Sequence, residues 1–289
     1  MIKSFAERIL NFKIDSRGLF NPFIGLDISS LGNYIGINQE SHRECPILVS
    51  VASNRDNFSN LPITLYSLLN QEIKPDKIIL WLDEDIEDFA YLPYEITQFV
   101  KNGLEIRFTK NLGCYTKSIQ AFKDYSDWII VTASDKVYYP STWLKKLYLS
   151  YIANQSDIHV HQALLSDLNL SYNNWNKSTK ESANYKNFLL GELGILFPPN
   201  CFGKEVLRQD IFLKYAPNSD NVWLWIMSLV HRRKIRVVKN PIKTTIYNNV
   251  YKHFYNRLKN KKNIIEANNN SLKLLLKLYG RNVNNRLDS

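Results

Sequence analysis

Cysteine is scarce in this chain. Three cysteines in 289 residues, Cys45, Cys114 and Cys201, lie far apart and without paired spacing, which excludes a zinc finger and a disulfide framework. A reducing compartment fits that usage. Long apolar runs are also missing: no stretch approaches the roughly 20 residues that a membrane-spanning helix needs, so a soluble or peripheral protein is expected. The opening MIKSFAERILNF lacks the apolar core and small-residue cleavage site of a secretory leader, and the expected location is the cytoplasm, with peripheral attachment at the inner face of the plasma membrane as the variant. There is no internal repeat. A hydrophobic content of 45% over this length is enough to bury the core of one large α/β domain without staples.

Acidic residues thin out toward the end of the chain. Of the formal net charge of +10, the stretch His231–Ser289 carries 15 Lys and Arg against Glu266 and Asp288, or +13, which leaves −3 on the rest. A basic tail on a near-neutral body suits an anionic surface or an exposed basic helix face.

Residues 1–44 read as an extension whose Ile2, Phe5, Ile9 and Phe12 fall at helical spacing. From Cys45 the pattern becomes alternating. CPILVSVAS reads as a strand, Leu61 to Gln71 as a helix, Lys77 to Leu82 and Lys101 to Phe108 as strands, Thr116 to Tyr125 as a helix and Trp128 to Ala133 as a fourth strand. A helix through Trp143 and Tyr151, a strand over Ile158 to Leu164, a helix over Asn221 to Val230 and a strand over Lys234 to Val238 follow. The polar stretch SYNNWNKSTKESANYKN reads as an exposed loop or lid, and the last helix as Ser271 to Tyr279. Such alternation predicts an α/β fold with a mostly parallel central sheet and helices on both faces. The expected units are the extension 1–44, a core of 45–245 and a basic helical tail of 246–289.

The segment DWIIVTASDKVYYPSTW is the most telling: a buried strand ends in Ser134, Asp135 and Lys136 and turns through Tyr139 and Pro140 into a helix. A carboxylate at a strand's carboxyl end is where open α/β sheets place ligand chemistry. Together with GLEIRF, IHVHQA, GILFPPNC and SDNVWLWIMSL, in that order, the stretch from about Ile47 to Val238 resembles the nucleotide-sugar glycosyltransferases of the GT-A fold, particularly family 2-like bacterial enzymes of capsule and lipooligosaccharide synthesis. The resemblance implies a GT-A type sheet, a nucleotide-sugar donor and an oligosaccharide or lipid-linked acceptor. It also implies a run of aspartates after the fourth strand that holds Mn2+ or Mg2+ on the donor diphosphate.

Here the chain departs from its relatives. Only Asp135 of that run survives, and Lys136 stands where a metal ligand is expected, so the metal is in doubt. Three readings stay open: Lys136 replaces part of the metal's charge; a metal is weakly held by Asp135 with Lys136 turned away; or the chain is a noncatalytic nucleotide-sugar-binding partner derived from such an enzyme. Relatives carry two acids before the tryptophan-bearing helix. This chain has Asp220, the candidate base for the acceptor hydroxyl, followed by Asn221, whose amide cannot take that proton. A helix cap is the plainer role for Asp220.

The resemblance further assigns Ser50, Ala52, Ser53, Asn54 and Arg55 after the first strand, Lys117 and Ser134 to the donor. It points to Asn221, Trp223 and His161 for the acceptor, with core packing as the alternative for Trp223 and for His161; Glu192, where relatives carry a small or apolar residue, could bind an acceptor hydroxyl or act as an alternative base, with plain surface exposure as the other reading. In SLKLLLKLYG, Leu272, Leu275, Leu276 and Tyr279 share a helix face that could pack on the body or rest on an anionic membrane. Nucleic acid is not an expected partner, because the tail carries no reader motif.

Overall fold

The computed structural model describes residues 32, 34–40, 43–86, 88–178, 183–242, 246–247 and 250–287. The amphipathic pattern at Ile2 to Phe12 lies outside them, as do the side chains of 243–262.

The chain runs through β1 (Ile47–Ala52), α1 (Leu61–Leu69), β2 (Lys77–Asp83), α2 (Tyr94–Thr97), β3 (Leu104–Thr109), α3 (Thr116–Asp124) and β4 (Ile129–Ala133). It continues with β5 (Val137–Tyr138), α4 (Trp143–Ala153), β6 (Ile158–Val160), β7 (Ala163–Leu165), β8 (Asn176–Lys177), β9 (Asn187–Leu189) and β10 (Ile195–Phe197). Then come α5 (Gln209–Tyr215), α6 (Asp220–Val230), β11 (Ile235–Val237), β12 (Ile246–Tyr247) and α7 (Val250–Leu287).

Seven strands form the central sheet in the order β11-β6-β10-β4-β1-β2-β3. The pairings β1–β2, β1–β4, β2–β3 and β6–β11 are parallel. β10 alone is reversed, antiparallel to both β4 and β6. On β1, Ile47, Val49 and Val51 face a core shared with α1, α2 and α4, while Leu48 faces a second core shared with α3, α5, α6 and α7. Burial on both faces explains the near-continuous apolar strands.

Three expectations change. The supposed lid is in part a small sheet, β8-β7-β9. Two aromatics in it are buried: Trp175 and Phe188 lie 6.0 and 5.5 Å from the Trp225 ring, and the Trp175 Nε1–H donates to Asp167 O at 2.7 Å. Ile158 to Leu164 splits into β6 and β7, because β7 leaves the central sheet to pair with β9. The final helix is far longer than Ser271 to Tyr279 and runs on through Gly280, a residue that more often ends helices. Its Leu272, Leu275, Val283 and Leu287 are buried in the core with α6.

Part of the extension is pinned to the body. Asp76 accepts from Asn38 Nδ2, from Arg43 Nη1 at 2.6 Å and from the Ile47 amide at 2.8 Å, so one carboxylate ties the extension to the start of β1. Gly36 lies so close to α1 that a Cβ there would sit 2.6 Å from the Leu69 carbonyl. No helix among the described residues is long and apolar enough to cross a membrane.

Two histidines make the fold acid-sensitive. His159 and His161 point from the sheet toward α4, and burial lowers their pKa values to about 4 and about 3. Both rings stay neutral in the folded chain but charge below about pH 6.5 in the unfolded one, so their contribution is complete above about pH 6.5 and is lost as pH falls toward 4 and 3. Full titration costs on the order of 3 kcal/mol per ring. Thermal unfolding should show Tm falling from pH 7 to pH 4, with a shallower fall in His161→Gln; identical slopes would remove His161 as a cause.

Candidate functional site

Strands β4, β1, β2 and β3 lie side by side and parallel, and the chain's direction of travel across the sheet reverses between β1 and β4. Loops diverge at such a point and leave a crevice at the carboxyl ends of the strands. A cleft of about 370 Å3 opens there, lined by Ala52, Ser53 and Asn54 after β1, Trp81 and Asp83 at the end of β2, Thr109 and Asn111 after β3, and Ser134, Asp135 and Lys136 after β4. Cys114, Thr116 and Lys117 form its wall at the start of α3.

Asp135 is 8% exposed and held from several sides. Its Oδ2 accepts from Ser53 Oγ at 2.7 Å and from Asn57 Nδ2 at 3.0 Å, and its carbonyl accepts from Thr64 Oγ1 at 3.0 Å. The preceding Ser134 amide donates to the Tyr139 hydroxyl at 2.7 Å, which in turn donates to Glu192 O at 3.2 Å. Lys136 is exposed at the rim and makes no ion pair among the described residues.

Lys117 joins this cleft to the second carboxylate. Its Nζ lies 3.6 Å from Asp220 Oδ2, with both side chains less than one-fifth exposed. Asp220 is the first residue of α6, where the free amides of the helix end also favour a negative charge. The neighbouring Cys114 thiol is pushed up to about 12 by burial and by the Asp220 carboxylate, so it remains a neutral thiol. Asn221 has a scaffolding part: its Oδ1 accepts from the Gly191 amide at 3.2 Å, and a Cβ on Gly191 would sit 2.9 Å from that oxygen. Glu192 is half-buried in the same turn.

The far side of that turn is braced by Trp143, whose Nε1–H donates to Leu193 O at 2.7 Å. Gly194 follows with φ 90° and ψ 148°, backbone open essentially to glycine alone, and a Cβ there would lie 2.6 Å from Trp143 Cζ2. Gly194→Ala should therefore destabilise by about 2–4 kcal/mol, as strain and overpacking add. A Tm within 2 °C, roughly, of wild type would contradict this.

Several expected contacts are corrected by burial. Ser50 is fully buried; its Oγ donates to Lys117 O at 2.6 Å and accepts from Trp81 Nε1 at 2.8 Å, so it fastens α3 to the sheet beneath the cleft. Trp223 is fully buried, with its indole N–H on Val206 O and its ring against Phe212 and Tyr279, and cannot touch an acceptor. His161 is equally enclosed: Nε2 meets Trp143 O and Nδ1 accepts from the Ile242 amide. Arg55 lies outside the cleft, on a neighbouring groove with Phe58, Ile86, Tyr91 and Pro93. Ala52, Asn54, Lys117, Ser134, Asp135 and Lys136 are brought together in the cleft.

Asp83, Asn57 and Asn111 were missed by the sequence reading. Asp83 Oδ2 accepts from Asn111 Nδ2 at 2.6 Å, a carboxylate–amide pair at the β2 end of the cleft. Its signal was present in KIILWLD, a buried strand ending in a carboxylate just as β4 does.

Mn2+ or Mg2+ would take oxygen ligands from the protein and fill its shell with phosphate and water. At the end of β4 the only carboxylate is Asp135, with one oxygen already accepting two hydrogen bonds and an ammonium one residue away. No group of three or more His, Cys, Asp or Glu suited to a metal gathers among the described residues. Asp83, the cleft's other carboxylate, is likewise taken up by the Asn111 amide, so the residues present do not fit a dication held by the protein.

No family model and no curated protein matches the chain. Among solved structures it is similar to a mannosyltransferase of Pyrobaculum calidifontis in complex with GDP-mannose and Mn2+, at 11% identity and a TM-score of 0.47, covering 87% of this chain and 79% of that one. A likeness that slight says nothing about function.

Proposed function

We propose that this chain transfers a sugar from a nucleotide-sugar donor to a saccharide or lipid-linked acceptor in the synthesis of a bacterial surface polysaccharide, capsule or lipooligosaccharide. The observation that carries the reading is the cleft at the carboxyl ends of β1–β4, which gathers Asp135, Lys136 and the Lys117 that pairs with Asp220. The order of motifs from Ile47 to Val238 adds to it.

In this reading the nucleoside lies across the ends of β1, β2 and β3. Asp83 and Asn111 offer an acceptor and an amide to the base, and Asp135 orients the ribose or donor sugar. Lys136 and Lys117 meet the diphosphate, whose charge grows as the bond to the sugar breaks. The acceptor oxygen attacks the anomeric carbon from the opposite face, the carbon–oxygen bond to the diphosphate breaks with its electrons, and Asp220 receives the hydroxyl proton. The product has inverted configuration. Lys117 pairs with Asp220 across the cleft wall, and the donor diphosphate competes with that carboxylate for the ammonium.

The test is donor consumption and transfer across UDP-, GDP-, dTDP- and CMP-sugars, each with EDTA and with added manganese. Turnover that survives EDTA is the expected result. Turnover only with manganese would return a metal to Asp135, and tight donor binding with no turnover would make the chain a noncatalytic partner.

A further inference from the structure

A second cluster of charged side chains lies at the other end of the sheet. Because β10 runs antiparallel to both β4 and β6, and β11 is parallel to β6, the starts of β6 and β11 lie at the amino-terminal end of the sheet, opposite the cleft. A depression of about 510 Å3 opens there between Asn154, Asp157, Tyr185, Arg232, Lys234 and Arg236.

The cations around it are not equivalent. Arg236 is held by Asp157 at 2.8 Å and by Asn154 Oδ1 at 3.0 Å. Arg233 spends its N–H groups on the carbonyls of Cys201, Ser156 and Asn200. Arg286 donates to Val230 O at the end of α6. Arg232 and Lys234 are exposed and make no ion pair among the described residues; Lys234 Nζ stands 5.4 Å from the centre of the Tyr185 ring. Among the described residues, Asp157 is the one carboxylate lining the depression.

Two features mark this as more than a solvated basic turn. Arg232 has φ 57°, a left-handed position usually given to glycine or asparagine after a helix, so a long cation stands there against the backbone's preference. Positive charge is also concentrated there, only partly offset by Asp157. Arg286 is lowered from its ordinary pKa by burial and then by Arg232, and His231 by burial and then by Arg233.

An exposed guanidinium and an exposed ammonium that line one depression with a fixed guanidinium are suited to a phosphate: the planar fork takes two oxygens and the ammonium a third. We propose that the Arg232–Lys234 pocket binds a phosphate group, carried by a soluble phosphomonoester or by the headgroup of an anionic lipid. This site is separate from the cleft and does not depend on the reaction assigned there.

The test uses the full chain and reads binding alone. Inorganic phosphate and glycerol 3-phosphate are titrated by calorimetry, and sedimentation is compared with vesicles of phosphatidylglycerol and of phosphatidylcholine. Arg232→Asn combined with Lys234→Ala, in which asparagine tolerates the left-handed backbone, is expected to weaken binding by at least about tenfold. Lys101→Ala with Lys123→Ala removes the same charge from exposed positions elsewhere and is expected to stay within about twofold. Saturable binding of the soluble phosphates identifies a free ligand, and binding confined to phosphatidylglycerol vesicles identifies the headgroup. No binding of either, or an equal loss in the two double variants, overturns the proposal.

Discussion

Asp220→Asn is expected to lower the rate of sugar transfer by about 10²- to 10⁴-fold, the usual contribution of a general base. The amide keeps the size of the carboxylate and its place at the first position of α6, but cannot accept the acceptor's proton. The variant should fold: it loses one ion pair to Lys117 and one favourable charge at a helix start, each worth about 1 kcal/mol or less. The loss should fall on kcat, with the donor's KM little changed. A rate within about tenfold of wild type would place the base elsewhere, with the half-buried Glu192 as the next carboxylate to replace.

Lys136→Ala should reduce transfer by about 10²- to 10³-fold, the range seen when one charge-stabilising group is removed from a reacting centre. Its stability should be unchanged, because the side chain is exposed and holds nothing in place. Asp135→Asn provides the contrast. It disturbs a carboxylate that accepts from both Ser53 and Asn57, so donor affinity and Tm should fall together. Lys136→Arg separates charge from shape: partial rescue means the positive charge matters, and none means the lysine's geometry does. Transfer at the wild-type rate in Lys136→Ala would eliminate the role given to this residue.

The half of the sheet that builds the cleft was legible in the sequence. β1, β2 and β4 are apolar runs, β3 alternates apolar with charged residues at the sheet edge, and Asp135 stood out as a carboxylate just beyond five buried residues. The other half was legible in part: β6 and β11 fall within the strands expected over Ile158 to Leu164 and Lys234 to Val238, whereas β10 between them was not foreseen. β9 and β10 are three residues each, too short to show a period, and GILFPP carries the prolines of a turn. Ser50, Trp223 and His161 lie in the core for one physical reason. Where both faces of a sheet are covered, a polar or aromatic side chain can satisfy its hydrogen bonds inside, as Ser50 does with Trp81, and residue type then says nothing about exposure. Asp83 was missed for the opposite reason, since the acidic stretch that follows it reads as solvated loop.

The reversed strand also has a consequence for how the chain assembles. β10 pairs with β4 in a register that joins Ile195 to Thr132, and it separates β4 from β6 although the chain reaches β6 first. A nascent chain that has emerged only to about residue 190 can align β3, β2, β1 and β4, yet leaves β4 as a bare, largely apolar edge with unmet backbone groups. Synthesis therefore passes through an interval in which an apolar edge waits for a strand made later than β6, and refolding yield should depend steeply on protein concentration.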